Sequence, residues 1–223
     1  MSTPRRDFLG WLGGSALFAT AGLPLRASVP PSGRTMTPVS TDFDVSWVER
    51  LKGSHRAVFD SPGVADGAAL FRAVSWSKQY KKVYGTDPAE MTAVLVLRHE
   101  AIILAMDDGF WAEFDIARTN KVRDSDGKKW AKSNPILTLP PGTPPQWTDF
   151  TLAKFQRNGG IVLACNMAFG DVVDRYKTKG KLSDEDARKV ALTHLVPGVI
   201  LQPSGIFAAL RAQEAGCQYI IAS

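Results

Sequence analysis

Five short apolar runs, each too brief for a helix and each set off by a helical or glycine-bearing segment, constrain this chain more than any other feature. They are RAVFDS (56–61), TAVLVLRH (92–99), IVLACN (161–166), GVILQ (198–202) and CQYIIA (217–222). Continuous Val/Ile/Leu runs, rather than alternating ones, mark strands covered on both faces, which is the habit of parallel sheets. The segments between them have helical spacing. Residues 65–85 carry Leu70, Val74 and Tyr80 and stop at Gly85; 101–115 reads as one helix; 147–160 ends on two glycines. FGDVVDRYKTKG and LSDEDARKVALTHLV give two more, the second opened by Ser183 with acidic residues in its first turn, and GIFAALRAQEAG gives the last. Strand and helix in alternation predict a single α/β domain over residues 43–223, with a flavodoxin-like, doubly wound, five-stranded parallel sheet in the order 2-1-3-4-5. The stretch between about 116 and 146, with Trp130, Trp147 and five prolines, is longer than ordinary connections and predicts an ordered cover or a partner-facing arm.

A parallel sheet ends all its strands on one edge, and ligands collect there. The strand ends bring Asp60, the pair Arg98 and His99, the pair Cys165 and Asn166, and the stretch Gln202, Pro203, Ser204 to that rim. With the first and third strands adjacent, Asp60, Arg98, His99 and Cys165 are expected in one crevice. Cys165 admits two readings. It is either a packed small residue at the end of a buried strand, or a thiol whose ionised form is favoured by neighbouring cations and which attacks sulfur, carries a persulfide or is oxidised to sulfenate. On the second reading Arg98 and His99 stabilise the thiolate and Asp60 orients the base. Asn166, Gln202, Ser204 and Gly205 line a binding site, and the helix start at Ser204 holds an anionic group. Cys217 opens its strand instead of closing it. A five-residue strand spans about 17 Å and a disulfide needs Cα atoms within about 7 Å, so the two cysteines are not expected to pair.

Other chemistries find little support. His55 and His194 precede their strands, so a three-histidine metal site is not expected, and His99 with Cys165 and Asp60 falls short of the ligand set a metal wants. No metal and no cofactor are predicted. GxGxxG, P-loop, GxSxG and HExxH patterns are missing from the sequence. The net charge is +5, but three arginines against one aspartate lie in the first 27 residues, and the remaining basic residues are dispersed. A nucleic-acid stripe is therefore not expected.

The first 27 residues, MSTPRRDFLGWLGGSALFATAGLPLRA, have an arginine pair, then Phe8-Leu9, then a moderately apolar stretch rich in glycine and alanine. The layout is that of a secretory signal, and the paired arginines resemble the twin-arginine type. Cleavage is expected after Ala27, an uncleaved anchor being the alternative. Residues 28–42 read as a flexible tether. The chain is thus expected in the periplasm, delivered by the twin-arginine export machinery.

VLVLRHEAI with DDGFWAEF, then GGIVLACNMAF, then LVPGVILQPSGIFAALRAQEAGCQYI resemble, in that order and spacing, the DsrE/DsrF-like family, in its exported, twin-arginine-signalled branch. The resemblance runs from about residue 44 to the end. It implies the sheet already argued and a homo- or hetero-oligomer. It also implies that Cys165 stands where sulfur-transferring members carry a sulfane-sulfur cysteine, with a small sulfur-containing or anionic ligand. The Arg98-His99 pair and the Trp/Pro-rich stretch are not part of that relay pattern. Two functions follow: a sulfur-handling or thiol-redox protein working through Cys165, or a non-catalytic ligand-binding or assembly subunit in which Cys165 is packing.

Overall fold

The computed structural model describes residues 38–40, 42–124, 129–139 and 142–223. The expected signal (1–27) and most of the tether (28–42) lie outside them. The described chain is an α/β fold around a five-stranded, all-parallel sheet. Its strands are β1 (His55–Ser61), β2 (Met91–Leu97), β3 (Ile161–Cys165), β4 (Val199–Gln202) and β5 (Gln218–Ile221). Helices α1 (Ala68–Tyr84), α2 (Asp108–Glu113), α3 (Ile116–Thr119), α4 (Leu152–Arg157), α5 (Asn166–Gly180), α6 (Asp184–Thr193) and α7 (Gly205–Glu214) connect them.

The strand order is β4-β3-β2-β1-β5, which corrects the expected 2-1-3-4-5. β2, not β1, lies beside β3, with Leu97 opposite Ala164, while β1 sits between β2 and β5. The order therefore reverses at β1 and β5, because the chain walks outward from β1 to β4 and returns to β1's other side. Apolar runs identify strands but carry no information about which run lies next to which.

Strand alternation divides the core into two clusters. Ala57, Phe59, Leu95, Leu97, Val162 and Ala164 pack with residues of α1, α2, α4, α5 and α6. Val58, Val94, Val96, Ile161 and Leu163 pack with Ala208 and Ala212 of α7 and with Trp47 and Leu51. Trp47 belongs to a 3-10 turn, Ser46–Arg50, which the sequence reading did not anticipate.

The helix expected over 101–115 is two pieces. His99–Ala105 is a 3-10 segment, and Met106 is extended, bridging to Leu195. Asp107 then caps α2, its carboxylate accepting the Phe110 N–H. An aspartate that satisfies a free helix-start N–H begins a new helix where apolar spacing alone implied continuity. The helix expected from 147 begins only at Leu152, capped by Thr151, after a 3-10 turn at Pro145–Trp147. Ser183 and Ser204 cap α6 and α7 as the sequence indicated, and Gly85, in the left-handed region at φ 71, ends α1. The described part of the 116–146 stretch is a cover: Ile136 is buried in the larger cluster, and the buried Asn134 amide donates to the carbonyls of Leu104 and Met106.

Candidate functional site

At the carboxyl edge, where the strand order reverses, three side chains, from β1, from the residue that follows β2 and from β5, lock together. Asp60 is 1% exposed and accepts two hydrogen bonds from Arg98, Nε to Oδ1 at 2.7 Å and Nη2 to Oδ2 at 2.8 Å. This bidentate fork is the strong form of the arginine–carboxylate pair. The hydroxyl of Tyr219, on β5, donates to Oδ2 at 2.5 Å. Arg98 is held charged beyond its ordinary range, chiefly by its hydrogen bond to Asp60. The Tyr219 phenol is raised, first by donating to Asp60 and then by burial. Gly205 lets this cluster form: a Cβ there would stand 2.5 Å from Arg98 Cβ and 2.6 Å from its Cδ. The arginine stem lies against the first residue of α7.

Cys165 is elsewhere. It is 7% exposed, belongs to the larger apolar cluster, and its Sγ accepts the Ala168 N–H at 3.4 Å as the N-cap of α5. Arg98 packs against α7, which covers the opposite face of the sheet. The partner of Cys165 in register on β4 is Gln202. Both cysteines are free. Cys217 lies in the smaller cluster, and burial pushes its thiol up to about 11.

His99, with φ 49, starts the 3-10 segment and is exposed. It lines a groove with Asp171 and Arg175 of α5. Asp60, expected to orient it, gives its carboxylate to Arg98 and Tyr219 instead. The expected four-residue crevice is therefore two places and a packed sulfur. Asp60 and Arg98 come together; His99 faces a groove on the α5 side; Cys165 closes a helix end.

The expected binding residues also have internal partners. Gln202 is fully buried, accepting from Trp47 Nε1 at 3.1 Å and donating to the Asp44 carbonyl at 2.6 Å, so it clamps the N-terminal 3-10 turn. Asn166 accepts from Arg188 Nη2 at 2.7 Å. Ser204 accepts the Phe207 N–H, and Gly205 is the seat for Arg98. Among the described residues no buried side-chain nitrogen or oxygen lacks a hydrogen-bond partner, and no three His, Cys, Asp or Glu side chains are grouped as metal ligands would be. No described helix is long and apolar enough to cross a membrane.

Tyr219 is the residue that sequence reasoning missed. Its signal was available: in CQYIIA, period-two alternation puts Tyr219 on the face of Cys217, and a phenol in an apolar strand calls for a hydrogen-bond partner. No protein-family model matches this chain, and no curated protein matches its sequence.

Proposed function

We propose that this protein is an exported, DsrE-like binding or assembly subunit and that Cys165 is packing rather than a working thiol. The observation that carries the reading is the position of the sulfur, which lies within the apolar cluster and accepts the Ala168 N–H at the start of α5. Of the groups that would activate it, Arg98 and Asp60 are engaged with each other, and His99 lines the α5 groove. Free cysteines in such surroundings behave as small apolar residues. Large apolar side chains left exposed on α7 and β5, Ile206, Leu210 and Ile221 among them, support a contact role for that side of the molecule. The DsrE-like resemblance implies an oligomer, and the twin-arginine signal implies the periplasm.

A second reading, sulfur carriage by Cys165, is favoured by one contact. A negative charge on Sγ would meet the Ala168 N–H and the positive end of a 15-residue helix.

Timed alkylation of the native chain near neutral pH, read by mass spectrometry, separates the two. The subunit reading expects Cys165 to stay unmodified until denaturant is added, and expects sedimentation equilibrium to show self-association that Leu210→Glu weakens. Rapid native labelling of Cys165, with a gain of about 32 Da after polysulfide treatment for one added sulfur, would establish the sulfur-carrying reading instead.

A further inference from the structure

The 3-10 segment His99–Ala105 and α5 border an open groove of about 270 Å³, which neither the resemblance nor the reading of Cys165 uses. Its charged walls are Glu100 from the 3-10 segment and Asp171 and Arg175 from α5, with His99 beside them. Its apolar wall is made by Ile102, Ile103 and Val172, all buried. Asp171 and Arg175 stand four apart on one helix, acid before base, the spacing and order that ordinarily pair. Yet neither makes an ion pair or a side-chain hydrogen bond with any described residue, and the same holds for Glu100. A shallower hollow continues from the groove, sharing Asp171 and Arg175 and adding Asp174.

We infer that this groove binds a small zwitterion of the size and form of an aliphatic α-amino acid. Opposite charges line one cavity without pairing, Asp171 and Arg175 on the α5 side and Glu100 on the other, so a ligand bearing both signs satisfies both. A carboxylate suits the planar fork of Arg175, an ammonium suits Glu100 and Asp171, and an aliphatic side chain suits the Ile/Val wall. A ligand with one charge leaves the groups of the other sign unpaired. The volume lies just under the range usual for drug-sized ligands, about 300–1,000 Å³, which suits a metabolite of amino-acid size. This inference goes beyond the subunit reading and is independent of the reactivity of Cys165, because none of these residues contacts the sulfur through a hydrogen bond or ion pair.

The test is a heteronuclear NMR titration of the full chain with L-leucine, 3-methylbutylamine and 4-methylpentanoate, which share the branched tail and differ in the charges they carry. Saturable shifts at amides around His99 and Asp171 with leucine, at a Kd of about 1 mM or tighter, are expected, with each single-charge compound at least tenfold weaker. Arg175→Gln and the double variant Glu100→Gln/Asp171→Asn are expected to weaken leucine at least tenfold while leaving the rest of the spectrum in place. No saturable shift with leucine, or equal binding of either single-charge compound, overturns the inference without reference to any variant. The alkylation result at Cys165 is unaffected either way.

Discussion

One glycine sets the geometry of the carboxyl edge. Gly205 is where α7 touches the stem of Arg98, and the head of that arginine is fixed by two hydrogen bonds to Asp60. The close neighbour of an added Cβ is thus Arg98 Cβ and Cδ, not a free side-chain tip, so the arginine cannot swing aside without leaving Asp60. Alanine at a helix start gains up to about 1 kcal/mol in backbone entropy over glycine, whereas overpacking of this kind costs about 1–3 kcal/mol, and the overpacking dominates. Gly205→Ala is expected to lower unfolding free energy by about 1–2 kcal/mol in urea titration. An unchanged or higher midpoint would mean that α7 shifts freely and that the Arg98–Asp60 pair does not fix it. The same residue was expected from sequence to line a binding site, and what it admits is a side chain of its own chain.

At the scale of elements, Gln202 shows how a polar strand end serves the fold. Its amide joins β4 to the N-terminal turn through Trp47, which packs in the smaller cluster, and through the Asp44 carbonyl. Gln202→Leu keeps the volume but strands the buried Trp47 indole N–H away from water, at a cost of about 1–3 kcal/mol for a buried group left unpaired. Hydrogen exchange is expected to speed up in residues 44–50 before it does in β2 or β3; uniform acceleration across the sheet would place the clamp's effect in global stability instead. This case also marks how far the sequence could be read. All five strands and the caps at Ser183 and Ser204 were legible, because continuous apolar runs and helix-start hydroxyls are local signals. So was the gathering of Asp60 with Arg98, which follows from parallel strands ending on one edge. Strand order was not, since it is fixed by which helix covers which face, and that misplaced Cys165 beside β1. Nor was the fate of Gln202 and Asn166, whose partners Trp47 and Arg188 lie on segments the strand pattern does not connect to them.

For the whole molecule, three proton carriers, Cys217, Tyr176 and Tyr219, act in one direction. Burial raises Cys217 to about 11, opposed in part by Arg56. Burial, then Glu113, raises Tyr176, and the hydrogen bond to Asp60 raises Tyr219. Each group holds its proton more firmly folded than unfolded, so its contribution is fully present below its unfolded value and is lost as pH climbs through the folded one. For Cys217 the window runs from the ordinary thiol value of 9.0 to about 11, a contribution of about 2–3 kcal/mol at 1.36 kcal/mol per pH unit. Unfolding free energy is accordingly expected to fall across that window, and Cys217→Ala to flatten the decline by about that amount while lowering the neutral-pH value through its small cavity. The comparison is between slopes, so the cavity does not disturb it. Parallel slopes for the two proteins would place the alkaline loss in groups other than this thiol, and would mean that the thiol ahead of β5 reaches water before the sheet opens.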